Sequence, residues 1–369
     1  MNTTPTVASV EERATQPGRR SALRRWLAAH TLARHLLVAL GAAVLLVLVS
    51  YELSAYVNYN VAGIAVYVIA AAGLWLLTGL SGQLSLGQGA MMAIGAYTTS
   101  LLLKHWPDLP MIAVVVAAVV VTAAAGGIVG AAAARLRGPY LAGVTLALSV
   151  ALPQVAIHYS GIFGGEEGLT VPTPAAPAWL GLDFPQEQWM AWLALAGGLV
   201  TLVLLSNLSR SSLGRSFRAV RDDETAAALA GVNLAWTRIV AFLVSAACAG
   251  LAGSLFAYWV GLTAPAAFGL SLSLQLLSAI IIGGLGSLAG AVWGSILLVL
   301  VPVLTGNLAS GLALSSDVSN NLPLAIYGAV LVLAVLVFPG GIQGGLSRLV
   351  AVLRARRAAL RTKTQEDSP

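Results

Sequence analysis

Long apolar runs broken by short polar joints dominate this chain. Leu36–Val49, Val61–Leu77, Met111–Ala134 and Leu322–Val337 contain no Asp, Glu, Lys or Arg. About 20 apolar residues, rising 1.5 Å each, cross a hydrocarbon core of roughly 30 Å. The pattern therefore predicts an all-α, polytopic membrane helical bundle. Candidate spans are 34–53, 58–78, 85–103, 111–134, 140–158, 189–206, 237–259, 272–283, 288–305 and 322–338. That makes about ten spans, with a range of about 8–10. The eighth is short and the third is rich in small residues, so both are candidates for broken or re-entrant helices. No alternating apolar/polar pattern of about ten residues points to a β-barrel.

Composition agrees with the pattern: 58% of the 369 residues are hydrophobic and only 9% are charged. A soluble domain carries about 25% charged residues. Charge then gives an orientation. With ten crossings and the N-terminus inside, 19 of the 20 Lys and Arg residues face the cytoplasm and only Lys104 faces out. Such a bias in short loops is the positive-inside signal. The 14 acidic residues divide evenly, with Glu52, Asp108, Glu166, Glu167, Asp183, Glu187 and Asp317 outside. This frame gives an Arg-rich cytoplasmic tail (1–33), a transmembrane domain (34–340) and a basic cytoplasmic tail (341–369). Both termini are cytoplasmic. A cytoplasmic loop spans 207–236 and an extracytoplasmic loop spans 159–188. The first apolar run is long enough to span, so the start reads as an uncleaved anchor behind a polar tail. The basic clusters suit anionic lipid and imply no nucleic-acid role.

Several chemistries are missing. The two lysines, Lys104 and Lys363, follow Leu103 and Thr362, so there is no phosphate-binding loop ending in glycine-lysine. His30, His35, His105 and His158 form no paired metal-ligand motif, and no metal site is expected. No nucleophile elbow of the form G-x-S-x-G accompanies the serines. The single cysteine, Cys248, excludes an intrachain disulfide and reads as a small buried hydrophobe. A transporter or channel subunit remains, driven by a gradient or by a partner. A gradient-driven carrier predicts a carboxylate within a span, and the span interiors contain no Asp or Glu.

Two glycine-rich breaks stand out: Gly79–Ala90 (GLSGQLSLGQGA) and Gly283–Gly294 (GGLGSLAGAVWG). Paired, glycine-interrupted apolar segments suggest internal repeats with a site between them. On a helix, Ser81, Ser85 and Gln88 share one face at i, i+4 and i+7, while Gln83 points elsewhere. Uncharged amides and hydroxyls can line a path for a small neutral or zwitterionic solute. They can equally tie helices together by bonds worth about 0.6–2 kcal/mol. The second break reads mainly as packing. Gly286, Gly290 and Gly294 form a helical stripe beside Gly283 and Gly284 that lets backbones approach.

The loop from Ser212 to Asn233 is charged. Arg218 and Asp222 are an i, i+4 pair beside Arg221. Asp222 or Asp223 can cap a short helix that includes Glu224 and has Ala226–Ala230 as its body, and Gly231 supplies its stop. Such a helix suits a partner's groove, and equally a solvated loop. Glu166 and Glu167, in the outer loop, suit a partner contact or a solvated acidic turn.

Several ordered motifs carry a specific resemblance. GLSGQLSLGQGAMMAIGAYTTSLL (79–102), RLRGPYLAGVTLAL (135–148), the stretch 214–268 and LSAIIIGGLGSLAGAVWGSILL (277–298) resemble the branched-chain amino acid ABC importer permeases of the LivM type. The likeness covers most of 58–340. It implies an inner-membrane permease subunit importing branched-chain or similar small amino acids by alternating access. Urea, short amides or another small solute are the alternative cargo. It further implies a second permease subunit and two cytoplasmic ATPases that hold ATP and magnesium, with no cofactor in this chain. An extracytoplasmic solute-binding protein would deliver the cargo. The helix around Arg221–Gly231 would be the coupling helix docking on an ATPase. Glu224, Ala226, Ala227 and Gly231 give a loosened form of the general Glu-Ala-Ala…Gly importer loop. Gln88 stands where the family segment commonly has histidine.

Overall fold

A computed structural model describes residues 31–135, 139–177, 180–181, 184–311, 325–326, 328–329, 332–333, 336 and 340–348. The tails before residue 31 and after 348, Arg137, Asp183, Asp317 and more than half of the expected span at 322–338 lie outside them.

The chain is a helical bundle. Its helices are α1 (Thr31–Glu52), α2 (Ala55–Leu74), α3 (Gln88–His105), α4 (Met111–Ala133), α5 (Pro139–His158), the short α6 (Ser160–Phe163), α7 (Gln186–Arg210), α8 (Ser212–Asp222), α9 (Glu224–Leu229), α10 (Leu234–Val260), α11 (Leu270–Gly283) and α12 (Leu288–Gly311). Among the described residues, seven helical stretches are long and apolar enough to cross a membrane. The α3 helix is not one of these, because Gln88, Lys104 and His105 at its ends lower its apolarity. It sits instead in the middle, buried on nearly every side.

Burial divides the helices into a centre and a periphery. The α2, α3 and α10 helices are largely enclosed, whereas α4 and α5 expose apolar residues such as Ile112, Val116, Ile128 and Val150. In a bilayer that exposure costs nothing, since lipid tails are as apolar as the side chains. Association between helices must then come from close packing, and small residues supply it. The buried stripe Ala118, Thr122, Gly126 and Gly130 of α4 lies along Phe242, Ala246 and Gly250 of α10. A Cβ added to Gly250 would lie 2.7 Å from Thr122 Cβ and 2.9 Å from the Ala118 carbonyl oxygen. On the α3 side, a Cβ at Gly95 would lie 2.5 Å from the Gly250 oxygen. Thus α10 is clasped between α3 and α4 with backbones nearly touching.

The two ends of the bundle differ in charge. Arg218 donates to the Ser209 carbonyl, Arg221 to Gly79 and Arg238 to Ala134, which gathers these arginines at one end. Lys104, Asp108, Glu166, Glu167 and Glu187 belong to the opposite end, set by the alternating helix directions. At that acidic end two short strands, Leu169–Thr170 and Leu262–Thr263, pair antiparallel. They tie the outer loop to the α10–α11 joint. Ser100 in α3 secures the joint, donating to the Thr263 hydroxyl at 2.7 Å. Glu166 and Glu167 are exposed there, in a turn set by left-handed Gly164, Gly165 and Gly168.

Gly250→Val should force the α4–α10–α3 contact apart and cost about 1–3 kcal/mol, as overpacking does. A thermal-unfolding scan of purified protein in detergent should show a lowered midpoint. Gly41→Val on α1, where a Cβ meets nothing within 4 Å, should leave the midpoint unchanged.

Candidate functional site

The first glycine-rich break is a true interruption of the helix. The α2 helix widens into a π-helical turn over Trp75–Leu80, and α3 begins only at Gln88. Gly82 adopts φ +73°, a left-handed conformation that glycine takes without strain. From there to Gly87 no helix forms. Burial alternates accordingly: Ser81, Gln83 and Ser85 point inward, while Gly82 and Leu84 are exposed. The helical grouping of Ser81, Ser85 and Gln88 therefore gives way to a period of two, which is that of extended chain. Gln83 joins the buried set and donates to the Ser81 hydroxyl at 2.6 Å.

Extended backbone inside a membrane protein leaves N–H and C=O groups that something must satisfy. Hydroxyls from distant helices meet that demand. The Leu86 N–H donates to Thr145 Oγ1 of α5 (3.0 Å), and the Gly89 N–H to Ser273 Oγ of α11 (2.9 Å). Ser149 Oγ of α5 donates to the Leu86 carbonyl and lies 3.1 Å from Ser273 Oγ. Each hydroxyl has one proton. Because Ser149 spends its proton on Leu86, Ser273 must donate to Ser149. The proton order is Gly89 N–H to Ser273, Ser273 to Ser149, and Ser149 to the Leu86 oxygen, a closed relay across α3, α11 and α5.

Gln88 spans two further helices. Its amide donates to the Ala70 carbonyl of α2 (2.9 Å), and its oxygen accepts from Ser245 Oγ of α10 (3.2 Å). A cavity of about 10 Å³ remains beside Ser85, Gln88, Thr145 and Ser245, enough for one water at most. The segment is closed in this conformation. Of its buried side-chain atoms, Gln83 Oε1 has no hydrogen-bond partner.

The two glycine-rich breaks, though distant in sequence, meet at the basic end. Trp75 Nε1 donates to the Leu285 carbonyl at 3.0 Å, and a Cβ on Gly79 would lie 2.6 Å from that oxygen. In the second break, Gly283 packs on Gly290, and Gly294 on Ala279, across the α11–α12 hairpin. Gly286 precedes α12 and faces open space, so the glycine stripe begins at Gly290. Gly284, at φ +114°, packs against Gly341.

The charged loop forms two helices. The α8 helix is fastened to the bundle by Gly214, Phe217 and Val220, with Phe217 fully buried. Asp223 then caps α9, accepting from the Thr225 and Ala226 N–H groups (2.8 and 3.0 Å). Gly231, at φ +85°, follows its end. Arg218 reaches the Ser209 carbonyl, and Asp222 instead pairs with its neighbour Arg221 at 2.8 Å. Glu224 is paired with Arg238 of α10, a side chain that also bonds the Ala134 carbonyl. Ala227 is buried, whereas Ala226 and especially Leu229, 86% exposed, face outward. Leu229 and the exposed Trp236 were not among the residues singled out from sequence. An isolated leucine within an alanine-rich, capped helix was the available signal. Among the described residues no three His, Cys, Asp or Glu side chains gather into a metal site.

A family model described as "Branched-chain amino acid transport system / permease component" matches residues 56–335, which include both breaks and the charged loop. The chain belongs to this family. It is 31% identical over 253 residues to the high-affinity branched-chain amino acid transport system permease protein LivM of Salmonella typhimurium, covering 61% of this chain and 57% of the relative. The corresponding LivM protein of Escherichia coli is 32% identical over the same length and the same shares. The autoinducer 2 import system permease protein LsrC of Klebsiella pneumoniae is 31% identical over 166 residues, 43% of this chain and 46% of the relative. The chain thus spans a little over half the length of the LivM relatives. No solved structure matches it.

Ser273→Ala interrupts the relay and strands the Gly89 N–H, a loss of about 1–3 kcal/mol. Thermal unfolding in detergent should show a clear drop for Ser273→Ala and none for Ser271→Ala, whose side chain is exposed.

Proposed function

We propose that this chain is the membrane-spanning permease subunit of an ATP-driven importer for branched-chain or similar small amino acids. The observation that carries the reading is the family match across 56–335. A chain without a phosphate-binding loop needs partners for energy, so two cytoplasmic ATPases hold ATP and magnesium. A second permease subunit completes the pathway, and a solute-binding protein delivers cargo at the acidic end. The charge bias supports an orientation with the basic end in the cytoplasm, and the likeness to bacterial permeases supports a bacterial inner membrane. The likeness to an autoinducer 2 permease favours a second reading, in which this scaffold carries another small solute chosen by the binding protein.

In the first reading Ser81, Gln83, Ser85 and Gln88 line the inner part of the route. The conformation described is closed, since the hydroxyls and the Gln88 amide hold helices to one another. Gln83 Oε1 is the free acceptor, suited to a solute ammonium or amide. On the cytoplasmic side, α9 offers Leu229 and Ala226 to an apolar groove of an ATPase, and Arg218, Arg221, Asp222, Asp223, Glu224, Ala227 and Gly231 shape that docking loop. Glu224 acts there by fixing α9 to Arg238.

Proteoliposomes holding the full complex should take up leucine only when ATP is supplied. Gln83→Leu should reduce uptake several-fold with assembly intact, while leucine uptake by this chain alone would contradict the importer reading. Separately, Leu229→Asp should weaken co-purification of the ATPases by about tenfold, the loss expected of an interface anchor worth roughly 1.4 kcal/mol. Unchanged co-purification would remove α9 from the interface.

A further inference from the structure

The last residues of α8 touch the first glycine-rich break. Arg221 divides its guanidinium between two partners. Nε and Nη2 lie 2.9 and 2.8 Å from Asp222 Oδ1, and Nη1 donates to the Gly79 carbonyl at 2.9 Å. Its aliphatic stem crosses Gly82 so closely that a Cβ there would lie 2.5 Å from Arg221 Cγ. The opposite side of the same turn is held by the second break, through Trp75 and Leu285. Gly79 is therefore gripped from two sides and Gly82 from one, so a shift of their turn disturbs its contacts with Arg221.

The turn itself is a weak point in the helix. A π-helical turn inserts extra backbone into a regular helix, a feature that recurs where helices serve function. Beyond Arg221, one residue, Asp223, separates α8 from α9. A force applied to α9 thus reaches Arg221 through a single capped elbow, and Phe217 gives α8 a fixed pivot in the bundle.

We propose that Arg221 is a positioning residue that transmits displacement of the α8–α9 elbow to the π-helical turn and hence to the 81–88 segment. This rests on the importer reading above. The guanidinium suits the task because its planar fork can hold two oxygens in fixed geometry, whereas a lysine presents a single point charge. Gly82 is part of the same joint, since any larger residue there displaces the Arg221 stem.

The test is the number of solute molecules moved per ATP hydrolysed by the full complex in proteoliposomes. In complexes matched for bound ATPase, Arg221→Ala should lower the transport-to-hydrolysis ratio about fivefold or more, the lower end of typical coupling between sites. Arg221→Lys should fall between Ala and the native chain. Gly82→Ala should uncouple in the same way with every charge retained, which guards against a folding defect peculiar to Arg221→Ala. An unchanged ratio in Arg221→Ala and Gly82→Ala, or transport and hydrolysis falling in parallel, would overturn the joint while the importer reading stands. Native uptake that ignores ATP would overturn both.

Discussion

Within a bilayer, backbone that leaves the helix must find its hydrogen bonds in the protein, and in this chain that requirement falls on residues 81–87. The Leu86 and Gly89 backbone groups are met by Thr145 and Ser149 of α5 and Ser273 of α11. The π-helical turn before them is met by Arg221 from the charged loop. These bonds fix the position of α5, α11 and α8 around the start of α3. Each is worth little when made and about 1–3 kcal/mol when left broken and buried. The relay order, with each hydroxyl accepting one bond and passing on its own proton, makes the set interdependent.

Packing follows from the same centre. The α3 helix starts at the break and runs outward with glycines toward α10, which in turn meets the small-residue stripe of α4. Lipid-facing residues add no driving force between helices, so close backbone contact and the polar ties do the holding. The functional consequence is that the break does not open by moving one side chain. Gln88 holds α2 and α10, the relay holds α5 and α11, and Trp75 holds the second break. Under the proposed importer reading, alternating access requires those ties to exchange together, driven from the charged loop.

Much of the architecture was legible in the sequence because lipid imposes a coarse code. Apolar runs gave the all-α membrane class, and the segregation of arginines from Lys104 agrees with the two chemically different ends. The motifs of residues 79–102 and 214–268 pointed to the family that the wider comparison shows. Other details follow local chemistry: Asp223 caps α9, and Gly231 follows it in a left-handed conformation. What the sequence hid is tertiary. Helical spacing grouped Ser81 with Ser85 and Gln88, but the glycines release the chain into extended backbone, where spacing of two governs. Arg218 and Asp222 match the i, i+4 rule, yet Arg218 is drawn to the Ser209 carbonyl and Asp222 to Arg221. Thr145, Ser149 and Ser273 look like ordinary hydroxyls in apolar spans until the broken backbone is placed beside them. The stripe Ala118, Thr122, Gly126 and Gly130 has the small-residue spacing of a packing face, visible in principle from sequence alone.

The central claim is that the interruption between α2 and α3 is a hub tied by hydrogen bonds to the surrounding helices and not a loose loop. Hydrogen–deuterium exchange of the purified protein in lipid nanodiscs tests it most directly, by following the Leu86 and Gly89 amides. The account predicts slow exchange, comparable with the buried body of α3 and far slower than the exposed residues of α9. Exchange at Leu86 and Gly89 as fast as at Leu229 would contradict it.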